Sequence, residues 1–176
     1  MSSRWNRSAG QAAPGALEQV RELLNSWLIP NDTRLAVDGF DALAATKDWT
    51  AREAASVRRL REDLRRVVED PDAGAACLDK WIVRLGLRPA VADGGISYRH
   101  RGGPAGEILA IVIAAISAGT WIRLKACPDC RWVFYDITRN ASKRWCLMYA
   151  GSPEGRACGT IAKVRRYRER QAAATR

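Results

Sequence analysis

"CPDCRWVFYDITRNASKRWC" occupies residues 127–146, and three of its positions are cysteines at a spacing that suits a metal ion. A C-x2-C pair can form a tight knuckle whose two thiolates meet one ion, and a tetrahedral site then needs two further ligands. Cys146 is one. Cys158 completes the pattern C-x2-C-x15-C-x11-C. Between these last two lies "LMYAGSPEGRA", where Gly151, Ser152, Pro153 and Gly155 are all turn formers. Such a loop returns Cys158 to the ion at modest entropic cost. Four thiolates favour zinc over harder metals, so Cys127, Cys130, Cys146 and Cys158 are the predicted ligands of a structural zinc ion.

Competing readings of the cysteines explain less. A redox C-x-x-C calls for a neighbouring βαβ pattern, and none precedes Cys127. The spacings of iron–sulfur proteins do not match. His100, the sole histidine, lies outside the cluster, which argues against a mixed cysteine–histidine site. Cys77 falls in an amphipathic stretch and reads as a small buried hydrophobe.

Charge is distributed unevenly around this feature. Residues 1–122 carry 16 Lys/Arg against 15 Asp/Glu, whereas residues 123–176 carry 13 against 4. A field concentrated in one third of the chain favours a polyanionic partner, and nucleic acid is the commonest. "TIAKVRRYRER" (160–170) places Lys163, Arg165, Arg166, Arg168 and Arg170 on one predicted helix, with Glu169 the only acid. Ile161, Val164 and Tyr167 form a narrow apolar seam expected to dock on the finger. Lys143 and Arg144, beside the third cysteine, extend the patch. These seven cations are the candidate nucleic-acid contacts, because guanidinium groups pair bidentately with phosphates and guanine edges. Trp132, Phe134 and Tyr135 could stack on unpaired bases, but packing around the metal is their expected use.

Upstream, the pattern is mainly helical. "ALEQVRELLNSWL" spaces Leu17, Val20, Leu24, Trp27 and Leu28 on one face before Pro30. "TAREAASVRRLREDLRRVVED" opens with Thr50 and Glu53 in capping-box register. Its stripe is Val57, Leu60, Leu64, Val67 and Val68, with arginines and acids on the opposite face and Glu62–Arg66 paired at i,i+4. Pro71 ends that helix. "GAACLDKWIVRLGL" repeats the pattern with Leu78, Trp81, Ile82 and Leu85, and Gly86 is a C-cap. Two short extended runs around Asp93-Gly94-Gly95 predict a hairpin. "GPAGEILAIVIAAISAG" is a long apolar helix terminated by Gly119, too short to span a bilayer. The expected fold class is therefore mainly α with a short β-hairpin, that is α+β. The expected layout is a mobile tail over 1–14, a helical domain over 15–122, and a small four-cysteine finger with a basic helix over 123–172.

With those residues in place, the chain resembles the CGNR zinc-finger family of bacterial transcription regulators. In that family a cysteine pair is followed by an aromatic, an Asp, an S/T-R-N step, an R-R-W-C step and a C-G-N-R step that leads into a basic helix. Cys127, Cys130, Phe134, Asp136, Thr138, Arg139, Asn140, Arg144, Trp145, Cys146, Cys158 and Gly159 occupy matching positions. Two departures stand out. The C-G-N-R step is Cys158-Gly159-Thr160-Ile161, and "GSPEG" (151–155) lengthens the gap before it. The resemblance implies DNA as the partner and a ligand-sensing companion (ABATE-like) over the upstream helices.

Taken together, these features predict a DNA-binding transcription regulator with structural zinc, with a zinc-stabilised protein-interaction or RNA-binding module as the alternative. A small-molecule effector of the upstream domain and a homodimer belong to the first reading, with no residue marked as an effector contact. No enzyme is expected: one histidine weakens any Ser-His-Asp proposal, and a four-thiolate zinc leaves no open position for water. "DGGISYRHRGGPAG" (93–106) is glycine-rich but lacks both the lysine of a P-loop and dinucleotide-binding spacing, so it reads as hairpin and loop. With no signal peptide or membrane span in view, the expected location is the cytoplasm, at the nucleoid.

Overall fold

Apolar residues at helical spacing account for most of the architecture. The computed structural model describes residues 11–30, 33–92, 94–147 and 157–174. Within them α1 (Leu17–Leu24) buries Leu17, Val20, Leu23 and Leu24. The expected continuation through Trp27 and Leu28 does not occur. Asn25 caps the helix, Ser26 Oγ donates to the Leu23 carbonyl at 2.7 Å, and the chain turns into β1 (Trp27–Leu28). That strand pairs antiparallel with β2 (Val37–Asp38), and Asp38 Oδ1 then accepts from Phe40 N to start the short α2 (Phe40–Ala44).

The capping box is formed as expected at the head of α3 (Ala51–Glu69). Glu53 N donates to Thr50 Oγ1 at 3.3 Å, and Thr50 N donates to Glu53 Oε2 at 2.8 Å. Val57, Leu60, Leu64 and Val67 are buried, whereas Val68 is only partly so. Two corrections apply to its polar face. Arg66 pairs with Asp63 rather than with Glu62. Arg61 and Arg65 do not face solvent at all but are 2 % and 7 % exposed. Their guanidinium groups find acceptors inside: Arg61 binds both Asp38 oxygens, and Arg65 binds the carbonyls of Leu24 and Trp27.

Pro71 ends α3 and also begins α4 (Pro71–Leu85), where its missing N–H costs nothing. Leu78, Trp81 and Leu85 face the core. Gly86 ends α4 at φ +60° in a Schellman arrangement, with Gly86 N on the Val83 carbonyl and Leu87 N on that of Ile82. The predicted hairpin is β3 (Arg88–Ala92) against β4 (Gly95–Arg99), in register from Arg88–Arg99 to Ala92–Gly95. Next comes α5 (Gly103–Ser117), closed by Gly119 at φ +67°. No helix of the described residues is long and apolar enough to cross a membrane.

A turn at Trp121–Arg123 leads into a third antiparallel pair, β5 (Leu124–Ala126) with β6 (Val133–Tyr135), and the last described element is α6 (Cys158–Ala174). The fold class is therefore α+β, with three two-stranded sheets among the described residues where one hairpin was expected. The two extra pairs are two and three residues per strand, too short to show a period. Leu124, Val133 and Tyr135 share one core with α1, α3, α4 and α5, so packing continues across the charge break at Arg123. Of the expected tail, Gln11 and Ala13 are buried. Residues 1–10, Asp93 and the turn-rich 148–156 lie outside the described residues.

The Asp38–Arg61 pair yields a pH test. Hydrogen bonds from Arg61 hold the Asp38 carboxyl down at about 2, against the opposing effect of burial. A lowered folded pKa adds stability that is complete above the unfolded value of ~3.9 and is lost as pH falls through the folded one. Asp38→Asn is expected to cost about 1–2 kcal/mol in urea unfolding at neutral pH. The gap from the parent chain should close as pH is lowered from 4 towards 2; an unchanged gap would show that the charge is not what matters.

Candidate metal centre

The centre starts from a backbone turn. After β5, Cys127 N donates to the Trp132 carbonyl at 2.8 Å and Arg131 N donates to the Cys127 carbonyl at 2.9 Å. This folds Pro128–Arg131 into a knuckle, with Arg131 in the left-handed region at φ +59°. Both knuckle thiols then point to one side. Cys146 arrives after the loop that follows β6, and Cys158 is the first residue of α6.

All four sulfurs converge within 4.8 Å of one another, and each cysteine is fully buried. Cys130 Sγ lies 3.5 Å from Cys146 Sγ, which lies 3.6 Å from Cys158 Sγ. Disulfides need ~2.05 Å, so these are free thiols. A tetrahedral ion with Zn–S bonds of ~2.3 Å would space its sulfurs ~3.8 Å apart, close to what is found.

Electrostatics point the same way. Hydrogen bonds from Cys130, Cys146 and Cys158 push the Cys127 thiol far below its ordinary range. Those with Cys127, Cys130 and Cys158 push Cys146 far above it. Thiolates gathered this closely repel one another. A divalent cation removes that conflict and lets all four act as thiolates. The donor set fits zinc, with Cys127, Cys130, Cys146 and Cys158 as the ligands. A bound ion would cross-link three chain segments here, and four thiolates leave it no open position.

The surroundings were only partly legible. Leu28, Trp132 and Phe134 wrap the thiols in an apolar shell. Gln11 contributes three bonds: its Nε2 donates to the Cys146 carbonyl at 2.7 Å, its Oε1 accepts from the Trp132 indole at 3.1 Å, and its carbonyl accepts from Tyr135 N. Asn25 brackets β6, accepting from Val133 N at 2.7 Å and donating to the Val133 carbonyl at 2.8 Å. Ile29 N donates to the Cys130 carbonyl, and Arg65 Nη2 donates to that of Arg131 at 3.0 Å. Trp132 and Phe134 were expected to pack around the metal, whereas Gln11 and Asn25 carried no sequence signal, because isolated polar side chains look like solvated surface.

Asp136, by contrast, stands in the family motif, and the structure gives it a task. Fully buried, it accepts from Thr138 N, Thr138 Oγ1, Lys125 Nζ and Lys143 N at 2.6–3.0 Å. These bonds hold its carboxyl near 2 despite the upward push of burial. They fix the loop that delivers Cys146.

The seven candidate contacts separate by position. Every residue of α6 from Lys163 to Ala173 is exposed. Lys163, Arg166 and Arg170 line a cleft of about 260 Å³ with Trp145 and Gly159, while Arg165 and Arg168 line another with Ile161 and Val164. Arg144 is exposed, and Lys143 is half-buried with its ammonium 5.2 Å from the centre of the Phe134 ring. The expected docking of the apolar seam is corrected: Val164 is 44 % and Tyr167 57 % exposed. Only the first turn, Cys158 and Gly159, is seated, so the seam projects beyond the finger.

Two measurements test the centre. Cys158→Ser should lose zinc to a chelator that leaves about one ion per chain in the parent protein. Full retention with an unchanged fold would refute this ligand set. Gln11→Ala strands the Cys146 carbonyl and the Trp132 indole, and is expected to cost about 1–3 kcal/mol and to speed zinc release. Release at the parent rate would remove Gln11 from the support of the site.

No curated protein sequence matches the chain. The family model of the CGNR zinc finger matches residues 123–171, a span that holds all four thiols and all seven candidate cations. The last third of the chain thus matches the CGNR zinc finger.

Proposed function

We propose that the protein is a DNA-binding transcription regulator in which the zinc site presents α6 to the phosphate backbone. The observation that carries this reading is the state of α6. Lys163, Arg165, Arg166, Arg168 and Arg170 are exposed, and none pairs with a carboxylate among the described residues. A solvated surface helix normally mixes signs, which limits self-repulsion. Here Glu169 is the single acid from Lys163 to Arg170. Such a helix gains most from a polyanion, because each neutralised phosphate releases condensed counterions.

The metal's part is structural. Cys158 is both a ligand and the first residue of α6, so the ion would set the direction in which the helix leaves the finger. Catalysis is not assigned to the chain. His100 packs against Gly106 of α5 rather than among the thiols. In this reading the upstream helices over 15–122 sense an effector. Phosphate contacts position a protein without specifying sequence, so base selectivity would come from side chains reaching the groove edges.

Fluorescence anisotropy with the full-length, zinc-loaded protein and duplex DNA tests the proposal. Binding should weaken steeply between low and physiological salt, with a slope of about −0.9 per neutralised phosphate. The triple variant Lys163→Gln, Arg166→Gln, Arg170→Gln should flatten that slope by roughly 2–3. Absence of duplex binding at low salt would sink the reading. Tight binding to single-stranded RNA alone, with Trp145 required, would move it to the RNA alternative.

A further inference from the structure

A second concentration of positive charge lies in the helical region, far from the thiols in sequence. Arg52 and Arg59 from α3, Arg84 from the last turn of α4 and Arg101 from the loop after β4 line a cleft of about 610 Å³, together with Ser56 and Gly102. We propose that this cleft is a binding site for a small phosphorylated anion, one carrying at least two phosphoryl groups.

The first argument is the absence of countercharge. Several arginines elsewhere do have acids: Arg21 has Glu18, Arg58 has Asp41, Arg61 has Asp38, Arg66 has Asp63 and Arg131 has Glu69. No carboxylate lies within 4.0 Å of Arg52, Arg59, Arg84 or Arg101 among the described residues. Glu53 is the one acid in the lining, and its Oε2 already accepts from Thr50 N at 2.8 Å and Thr50 Oγ1 at 2.7 Å. Four guanidinium groups from three elements thus share one concavity, an arrangement that costs repulsion until an anion enters.

The second argument is that two of these cations, though exposed, rest against the fold. Arg101 lies over Gly86, where an added Cβ would come within 3.2 Å of its Nε. Arg84 stacks 4.9 Å from the centre of the Trp81 ring. Held side chains lose less entropy when they grip a ligand.

Size and chemistry then select the class. The volume falls within the ~300–1,000 Å³ usual for small-molecule sites. Planar guanidinium forks match phosphate oxygens bidentately, and four forks exceed what one phosphate can occupy. A duplex is the poorer fit, since its backbone runs along a surface whereas this site is concave. The cleft is distinct from the surface of the DNA reading, because its lining comes from α3, α4 and the loop after β4 and includes none of the seven candidate nucleic-acid contacts.

Inorganic pyrophosphate, titrated into the full-length zinc-loaded protein and followed by amide NMR shifts, is the probe. Saturable shifts at Ser56, Gly102 and Gly103 are expected, and Arg59→Gln with Arg101→Gln should weaken binding by about tenfold or more. The pair Arg52→Gln with Arg84→Gln serves as the second variant should the first misfold. The α6 triple variant should bind pyrophosphate as the parent does, which separates this site from the DNA reading. The proposal is overturned by non-saturating shifts, by shifts confined to α6, or by parent-like binding in both cleft variants. It also fails if the cleft variants weaken duplex binding while pyrophosphate stays silent.

Discussion

Four sulfurs within 4.8 Å of one another set the terms for everything downstream of Arg123. As thiols they offer only weak hydrogen bonds, and as thiolates without a cation they repel. A divalent ion turns that liability into a cross-link between the knuckle, the loop before Cys146 and the head of α6. The apolar shell is small, with Leu28, Trp132 and Phe134 the large side chains buried against the sulfurs. A cluster of that size cannot offset the entropy of ordering three segments by burial alone. In small metal domains the binding free energy of the ion is the folding free energy, and the same logic applies here.

The finger is nevertheless not self-contained. Its hairpin joins the main core through Leu124, Val133 and Tyr135, and its outer strand is bracketed by Asn25 and Gln11. Sheet edges left open invite unwanted pairing, and here that edge is covered from within the chain. Arg65 makes the other join. It donates to the Leu24 and Trp27 carbonyls at the end of α1 and to the Arg131 carbonyl inside the knuckle, while its charge meets Glu69. Burial lowers the pKa of Arg65, with Glu69 acting against that shift. A cation at a helix C-terminus also answers the orphan carbonyls found there. One buried side chain thus ties α1, α3 and the metal knuckle together.

What could be read in advance follows from how local each signal is. Thiol spacing is local and chemically narrow, so Cys127, Cys130, Cys146 and Cys158 were legible across an eleven-residue gap. The capping box of Thr50 and Glu53 and the glycine stops at Gly86 and Gly119 are likewise written within a few residues. Arg61 and Arg65 were misassigned because helical position shows which face a residue occupies but not what carbonyls or acids await it. Trp27 and Leu28 continued the helical period, yet Asn25 and Ser26 ended α1 by bonding its last turn. The seam of Ile161, Val164 and Tyr167 failed for a related reason: periodicity reveals a stripe and says nothing of what lies opposite.

That exposed seam bears on how α6 works. An isolated helix of about this length is marginal in water, and most helices depend on packing of one face. From Thr160 to Ala173, no residue of α6 is buried. Its cations also sit at repulsive spacings, Arg166 with Arg170 and Arg165 with Arg168, and only Glu169, one turn from both Arg165 and Arg166, offers attractive pairs. The helix is therefore anchored at one end by Cys158 and strained by charge along the rest. On the proposed reading, phosphates laid along α6 relieve that repulsion, so binding and helix stabilisation become one event. On that same reading the metal would supply the direction of the helix, and the partner the countercharge that the described residues withhold.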